Sequence, residues 1–305
     1  MSQPDLTVNV AGIKLKNPVM TASGTFGYGE EYEPYLDLNR LGGIIVKGIS
    51  MEPREGNSPP RIVETAAGML NSIGLQNVGV EVFVDQKLPF LRKYDTAVIV
   101  NFFGDSIEEY CEVANILGAV DGIAGLEMNI SCPNKQEGWL EFGTRPDLTF
   151  KVTNAVRKKT DLPLIVKLSP NVTDISTIAK AAEDGGADGL SLINTITGMA
   201  VNIENRRPML ANIIGGLSGP AIKPVALRMI WQVAGKVSLP LIGVGGIMTA
   251  EDAIEFIIAG ASAIQIGTAN FLDPSVSIKV LAGVEDYLIK HRMKRIDNLI
   301  GSLET

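Results

Sequence analysis

The sequence of 305 residues predicts an α/β fold: a (β/α)₈ barrel of the TIM-barrel type, with an N-terminal β-hairpin and long insertions after strands 2 and 6. Three observations support this prediction. Short apolar runs recur along the chain, most of them are followed by helical periodicity, and no Pro/Gly/Ser-rich linker divides the sequence. Barrels of this type commonly fold as one domain of ~250 residues or more. We therefore expect a single domain over residues 1–305.

The apolar runs are predicted to be parallel strands, because strands that are buried on both faces are apolar almost throughout. They span residues 18–23, 43–48, 97–103, 125–131, 164–169, 189–195, 241–246 and 263–268. Helical patterns follow at residues 106–117, 147–159, 174–184, 250–259 and 275–291. Thr249 suits the N-cap of the fourth of these helices, and Gly260 lies where that helix should end.

Three segments interrupt this alternation. Residues 6–15, with Ala11-Gly12 at their centre, predict a hairpin across the floor of the barrel. Residues 49–79 and 196–218 are long insertions after the second and sixth strands. Both insertions should lie at the C-terminal face of the barrel, where such barrels build their sites, and long loops in compact domains are more often functional than idle.

Composition excludes several classes of protein. The chain is 46% hydrophobic and 20% charged, which is too apolar for a disordered protein. A net charge of −7 argues against nucleic acid as the main partner. The two cysteines cannot build a disulfide framework. The one histidine, His291, excludes a multi-histidine metal site and lies in a basic C-terminal helix, where we expect a surface role.

No targeting or membrane segment is expected. The N-terminus lacks the basic and apolar regions of a signal peptide. The longest uncharged stretch, residues 256–272, is interrupted by glycines and amides, so it does not resemble a membrane span. We expect a cytoplasmic protein with reduced thiols and no bound metal.

Polar residues lie at the C-terminal ends of the predicted strands, where a buried parallel strand should be apolar. In a barrel these ends meet at one face, so the side chains should converge there. A single buried polar residue is usually structural, but so many on one face predict a ligand site. They are Ser23, Lys47, Asn101, Asn129, Ser131, Lys167, Asn194 and Thr195.

Glycines after the last two strands predict an anion site. Gly245 and Gly246 follow the seventh strand, and Gly267-Thr268 ends the eighth. The loops after these strands form the common phosphate site of the fold, and glycines allow the backbone to approach an anion closely. The alternative is that they only permit tight turns. The segment is not a dinucleotide fingerprint, because the last glycine of that motif is missing.

Cys132 lies in the sequence Asn129-Ile-Ser-Cys-Pro-Asn134, at the predicted mouth of the barrel. A thiol between asparagines at such a place is a candidate proton-abstracting base or nucleophile. Cys111, in contrast, lies in a predicted helix and is expected to be structural.

Together these motifs resemble the dihydroorotate dehydrogenase family from about residue 6 to the C-terminus. The cysteine in the 129–134 motif is similar to the soluble class, because the membrane-bound class uses serine. Residues 202–208 and 215–220 resemble the NAD-linked type B catalytic subunit more than the fumarate-linked type A. The motifs that carry the resemblance are Lys47-Gly48, Asn71-Ser-Ile-Gly-Leu75, Asn129-Ile-Ser-Cys-Pro-Asn134, Lys167-Leu-Ser-Pro170, Asn194-Thr195 and the two glycine turns.

The resemblance implies oxidation of (S)-dihydroorotate to orotate in pyrimidine biosynthesis, with FMN as the hydride acceptor and Cys132 as the base. It implies that the substrate is bound by Lys47, Asn71, Ser72, Ile73, Gly74, Leu75, Asn129, Asn134, Asn194 and Thr195. It implies that FMN is bound by Ser23, Lys47, Gly48, Asn101, Asn129, Lys167, Ile193, Gly219, Gly245, Gly246, Gly267 and Thr268.

The resemblance also implies a partner. This chain has no NAD fingerprint, and its two cysteines cannot hold an iron–sulfur cluster, which typically takes four. In type B enzymes a second subunit carries FAD and a [2Fe–2S] cluster and reduces NAD⁺, and two such pairs form a heterotetramer around a homodimer of catalytic subunits.

Three alternatives remain open. The nearest is a type A enzyme that uses fumarate, or a related pyrimidine-reducing barrel. A Schiff-base aldolase on the same fold would use Lys47 or Lys167 as its nucleophile. A non-catalytic binding barrel fits poorly with so many polar strand ends.

Overall fold

The computed structural model describes residues 3–131 and 142–304, and its centre is a closed barrel of eight parallel strands. In chain order the strands are β1 (Val8–Val10), β2 (Ile13–Leu15), β3 (Val19–Thr21), β4 (Gly43–Ile49), β5 (Ile62–Thr65), β6 (Gly68–Asn71), β7 (Ala97–Phe102), β8 (Gly125–Asn129), β9 (Leu164–Lys167), β10 (Gly189–Leu192), β11 (Ile196–Met199), β12 (Val201–Asn202), β13 (Arg207–Pro208), β14 (Ile214–Ser218), β15 (Leu241–Val244) and β16 (Ala261–Ile266). The barrel order is β3-β4-β7-β8-β9-β10-β15-β16, closed by pairing of β16 with β3. The predicted barrel is confirmed.

Helices surround the barrel and connect its strands. They are α1 (Gly79–Val82), α2 (Leu88–Leu91), α3 (Ile107–Gly118), α4 (Pro146–Arg157), α5 (Ile175–Asp184), α6 (Lys223–Ala234), α7 (Ala250–Ile258), α8 (Ala269–Leu272) and α9 (Val276–Lys290), with a π-helical turn over Phe83–Lys87 and 3₁₀ turns over Leu38–Arg40, Phe142–Thr144, Pro220–Ile222 and Ile296–Leu299. Helices α6 and α8 and the segment from α1 to α2 were not predicted from the sequence. No helix in the described ranges has the length and apolar character needed to cross a membrane.

The helix that begins after Thr249 shows why the local signals were reliable. The Asp252 N–H donates to Thr249 Oγ1, and the Thr249 N–H donates to Asp252 Oδ2, which completes a capping box. Gly260 follows the end of α7 with a φ of +123°, a conformation that favours glycine. Both predicted ends of this helix are confirmed to within a residue or two.

The predicted N-terminal hairpin is also confirmed, as β1 pairs antiparallel with β2. It packs against the N-terminal ends of barrel strands. A Cβ atom on Gly125, the first residue of β8, would lie 2.6 Å from Ile13 Cδ1. A Cβ atom on Gly189, the first residue of β10, would lie 3.1 Å from Ala11 Cβ. The hairpin therefore covers the floor, and glycine at these two strand starts lets it approach.

The two insertions form one structure. Strand β6 from the first pairs antiparallel with β14 from the second, giving a sheet of order β11-β14-β6-β5. Val63, Leu70 and Leu210 form a small apolar cluster there, apart from the main core. This insertion sheet positions Asn71, the last residue of β6, opposite Gly216 of β14.

Candidate functional site

A cavity of about 550 Å³ lies at the C-terminal mouth of the barrel, between the strand ends and the insertion sheet. Its volume lies in the range of small-molecule sites. Every described residue that the sequence reading assigned to substrate or cofactor lines it: Ser23, Lys47, Gly48, Asn71, Ser72, Ile73, Gly74, Leu75, Asn101, Asn129, Lys167, Ile193, Asn194, Thr195, Gly219, Gly245, Gly246, Gly267 and Thr268. Cys132 and Asn134 lie outside the described residues.

The deepest part of the site is a polar network inside the barrel. Lys167, at the end of β9, is 5% exposed, and its Nζ lies 3.5 Å from both Ser23 Oγ and Glu127 Oε1. Asn101 of β7 donates from Nδ2 to the same Glu127 oxygen at 2.7 Å. A cation and an amide are thereby fixed in a nearly dry environment, where their interactions with a ligand are strong.

Amide groups line the next level. Asn194 Nδ2 donates to Asn129 Oδ1 at 3.3 Å, and the Ser131 N–H donates to the same oxygen at 3.1 Å. The Asn129 carbonyl accepts from the Tyr110 hydroxyl at 2.6 Å. Within the described parts of the chain, Asn129 Nδ2 has no hydrogen-bond acceptor. This N–H₂ group is therefore available to donate to a ligand in the cavity.

Residues 71–75 form the wall of the cavity that the first insertion supplies, and hydrogen bonds from Asn57 hold the backbone of this segment. The Asn57 N–H donates to the carbonyl of Ile73, and Asn57 Nδ2 donates to the carbonyl of Ser72, both at 2.9 Å. Gly74 has a φ of +77°, and a Cβ atom there would lie 2.5 Å from the Asn57 backbone nitrogen. The Ser72 hydroxyl is buried and has no partner among the described residues. A buried hydroxyl without a partner is costly, and a polar ligand would satisfy it.

Lys47 of β4 supplies a second cation. The pKa of its ammonium group is lowered, mainly because the group is buried. The nearby positive charge of Arg61 lowers this pKa further, and the negative charge of Glu31 raises it. Among the described residues nothing forms a hydrogen bond or ion pair with Lys47 Nζ. A partly desolvated ammonium group that forms no ion pair among the described residues favours an anionic ligand such as a carboxylate.

The glycine turns build a cradle at the other end of the cavity. Gly245 and Gly246 have φ values of +129° and +75°. A Cβ atom on Gly246 would lie 2.8 Å from the Gly219 carbonyl oxygen. In the described structure no acceptor is paired with the N–H groups of these two glycines or of Gly267 and Thr268. Unpaired backbone N–H groups around a close-approach turn are what a phosphate group binds.

Several residues of the site were not predicted from the sequence. Glu127 lies in the middle of β8, whereas the polar strand residues predicted for the site lie at strand ends. A charged residue within an apolar run was the signal that could have identified it. Arg61, Glu31 and Tyr32 come from loops whose fold no periodicity indicates. Ser218 reaches the cavity because β14 pairs with β6, and its Oγ accepts from Thr268 Oγ1 at 2.8 Å.

The two remaining candidates lie elsewhere, as predicted. His291 is exposed at the end of α9, where its ring lies 4.2 Å from that of Tyr287. Cys111 lies in α3, half-buried, and burial raises the pKa of its thiol. Neither residue lines the cavity.

A parallel (β/α)₈ barrel with an anion cradle after its last two strands, and with cations and amides at its mouth, defines a barrel enzyme that acts on a small anionic substrate. The chain matches the sequence profile of the family described as dihydroorotate dehydrogenase over residues 5–288, and it belongs to that family. The family predicted from the motifs is therefore confirmed.

Full-length relatives carry a more specific description. The chain is 59% identical over 304 residues to a protein of Geotalea daltonii and, equally, to one of Citrifermentans bemidjiense, with 100% of each chain covered. It is 57% identical over 303 residues to a protein of Alkaliphilus metalliredigens, with 99% of this chain and 100% of the relative covered. All three relatives are described as dihydroorotate dehydrogenase B (NAD(+)), catalytic subunit.

Proposed function

We propose that this chain is an FMN-dependent catalytic subunit that oxidises (S)-dihydroorotate to orotate in pyrimidine biosynthesis and passes the electrons to NAD⁺ through a partner. The observation that carries the proposal is the convergence of every described candidate residue on one cavity. Residues from both insertions and from the ends of the barrel strands meet there, although they are widely separated in sequence. The relatives' shared description supports the same reaction.

The cavity fits FMN at both ends. The unpaired N–H groups of Gly245, Gly246, Gly267 and Thr268 suit its phosphate, because anions bind where backbone donors converge. When bound, FMN would supply a hydride acceptor. Lys167 would place a positive charge beside the pyrimidine end of the flavin, where it favours the reduced anionic form. Ser23, Gly48, Asn101, Asn129, Ile193, Gly219 and, through its stem, Lys47 would complete the cofactor site.

Dihydroorotate offers a carboxylate and a ring with alternating donors and acceptors. Lys47 would pair with the carboxylate, because its ammonium group is partly desolvated and forms no ion pair among the described residues. The free Nδ2 of Asn129 and the unpartnered Ser72 hydroxyl would bond the ring amides. The remaining contacts would come from Asn71, Ile73, Gly74, Leu75, Asn134, Asn194 and Thr195.

Cys132 would serve as the base. The reaction removes a proton from C5 and a hydride from C6, so that a carbon–carbon double bond forms between them. Cys132 would take the C5 proton as its thiolate. Ser131, its neighbour in sequence, is fixed by a hydrogen bond from its Oγ to the Lys167 carbonyl at 3.0 Å. The end of β9 therefore anchors the chain immediately before the base.

We propose that residues 1–305 act as one FMN-binding domain in the cytoplasm. A homodimer of this chain would form the core of a heterotetramer with two electron-transfer subunits that carry FAD and a [2Fe–2S] cluster. Two electrons must leave the reduced flavin after each turnover. The sequence contains neither a dinucleotide fingerprint nor enough cysteines for a cluster, so a second chain would have to supply both.

The experiment is an acceptor assay with dihydroorotate as the donor. The purified chain and its complex with the electron-transfer subunit are each supplied with NAD⁺ or with fumarate. The proposal predicts NAD⁺ reduction by the complex alone. Full-rate NAD⁺ reduction by the isolated chain would remove the need for a partner, and rapid fumarate reduction by the isolated chain would indicate a type A enzyme.

A further inference from the structure

Glu127 is a fully buried carboxylate that the proposed chemistry does not use. It lies in the middle of β8, between Leu126 and Met128, and its relative exposure is 0%. Oε1 accepts from Asn101 Nδ2 at 2.7 Å, and Oε2 accepts from Gln265 Nε2 at 2.5 Å. An ionised group buried so deeply is strongly disfavoured unless charged and hydrogen-bonding partners compensate it.

The compensating charge is Lys167. Its Nζ lies 3.5 Å from Glu127 Oε1, and within the described residues Glu127 is the one carboxylate within ion-pair distance of it. The distance is long for a charged hydrogen bond, which is ordinarily near 2.7–2.9 Å. The ammonium group therefore lies near the carboxylate without a short hydrogen bond to it. Its N–H donors remain available to a ligand in the cavity.

The same Glu127 oxygen also holds the side chain of Asn101. Its Nδ2 is committed to Glu127, so its Oδ1 is fixed on the other side of the amide. A Cβ atom on Gly48 would lie 2.7 Å from that Oδ1, which places the amide oxygen against the Gly48 backbone. One carboxylate therefore sets the direction of two side chains that line the cavity.

Gln265 is a further hydrogen-bond donor to the Glu127 carboxylate. Its Nε2 donates to Glu127, and its Oε1 is buried without a partner among the described residues. Gln265 therefore gives the Glu127 carboxylate a second amide donor, which helps to compensate its buried charge.

We propose that Glu127 is a positioning residue: it supplies the buried counter-charge that orients the Lys167 ammonium group beneath the cofactor and fixes the Asn101 amide beside it. This inference rests on the proposed function, because it takes the ligand above Lys167 to be FMN. Glu127 itself does not line the cavity and acts through the two side chains that do.

The test is a double-mutant cycle with Glu127→Gln, Lys167→Met and the double variant. Glu183→Gln is the matched control, since Glu183 is a hydrogen-bonded carboxylate on α5 away from the cavity. FMN affinity of each apoprotein is measured by quenching of flavin fluorescence, and thermal unfolding of each apoprotein is measured separately. Each single site variant should weaken FMN binding about tenfold to hundredfold, as loss of a charged hydrogen-bonding group does, and the control should not.

The decisive quantity is the coupling between the two substitutions. If Glu127 acts through Lys167, Glu127→Gln should weaken binding further by less than about threefold in the Lys167→Met background. Additive losses, or Glu127→Gln binding FMN as well as the control, would overturn the proposal. If Glu127→Gln alone fails to fold, the double variant decides: recovery of folding supports the charge pair, and continued unfolding contradicts it.

Failure of the proposed function would look different. A wild-type apoprotein that binds no FMN would refute the FMN assignment, yet the thermal-unfolding cycle would still report whether Glu127 and Lys167 are coupled. Absence of coupling in unfolding, with normal FMN binding by the wild type, would refute the role of Glu127 alone.

Discussion

Gly216→Ala should disable substrate binding by displacing Thr195. Gly216 lies in β14, and a Cβ atom there would lie 2.1 Å from Thr195 Oγ1 and 2.6 Å from Thr195 Cβ. Ordinary contacts of a Cβ atom begin near 3.4 Å, so the threonine side chain must retreat by about 1.3 Å. A misplacement of about 1 Å at a positioning residue can cost on the order of 100-fold in rate. We expect kcat/KM for dihydroorotate to fall by about that factor.

The assay is steady-state oxidation of dihydroorotate with a dye as electron acceptor, so that no partner subunit is needed. Flavin content should remain normal, because Thr195 is assigned to the substrate and not to the cofactor. Gly198→Ala is the matched control in the neighbouring strand β11. Its new Cβ atom would lie 3.0 Å from Leu70 Cδ2, a side-chain methyl group that can move aside.

The control should lose no more than about threefold in kcat/KM, the usual range for a substitution that removes no interaction. The reasoning would be refuted if Gly216→Ala retained flavin and also matched the control in kcat/KM.

Three further predictions concern the other parts of the site. Gly246→Ala should weaken FMN binding at least about tenfold in an apoprotein titration, because φ is +75° and the new Cβ atom would lie 2.8 Å from the Gly219 carbonyl oxygen; unchanged affinity would contradict the cradle. Cys132→Ser should keep FMN bound but slow flavin reduction strongly at neutral pH in stopped-flow measurements, because a hydroxyl is a much weaker base than a thiolate; wild-type reduction rates would remove Cys132 from this role. The KM for dihydroorotate should rise as pH increases through the lowered pKa of Lys47, since lysine is charged only below its pKa. Arg61→Gln should move that break to higher pH and Glu31→Gln to lower pH, and equal shifts in one direction would contradict the assigned causes.

The barrel could be predicted because buried parallel strands carry a strong local signal. The predicted strands mostly extend one to three residues too far, as in 189–195 against Gly189–Leu192. The extra residues include polar ones, such as Asn194 and Thr195, which belong to the loops that line the cavity. The hydrophobic pattern shows which residues are buried, but the backbone hydrogen bonds that define a strand end before the buried segment does.

The insertion sheet could not be predicted in the same way. Residues 49–79 and 196–218 were correctly expected to be insertions after two barrel strands, but their pairing through Asn71 and Gly216 joins positions 145 residues apart. The residue pattern within either segment does not indicate that the two segments pair with each other. Glu127 illustrates a different limit: the donors around its carboxylate come from β7, β9 and β16, which only the closed barrel brings together.

We propose that this cavity holds FMN and that dihydroorotate reduces it. The most direct measurement is an anaerobic titration of the purified chain with dihydroorotate, following the visible absorbance and the orotate formed. We expect a yellow protein whose flavin band bleaches with one orotate produced per flavin. A colourless protein that takes up no FMN, or a yellow protein whose band is unchanged by dihydroorotate, would contradict it.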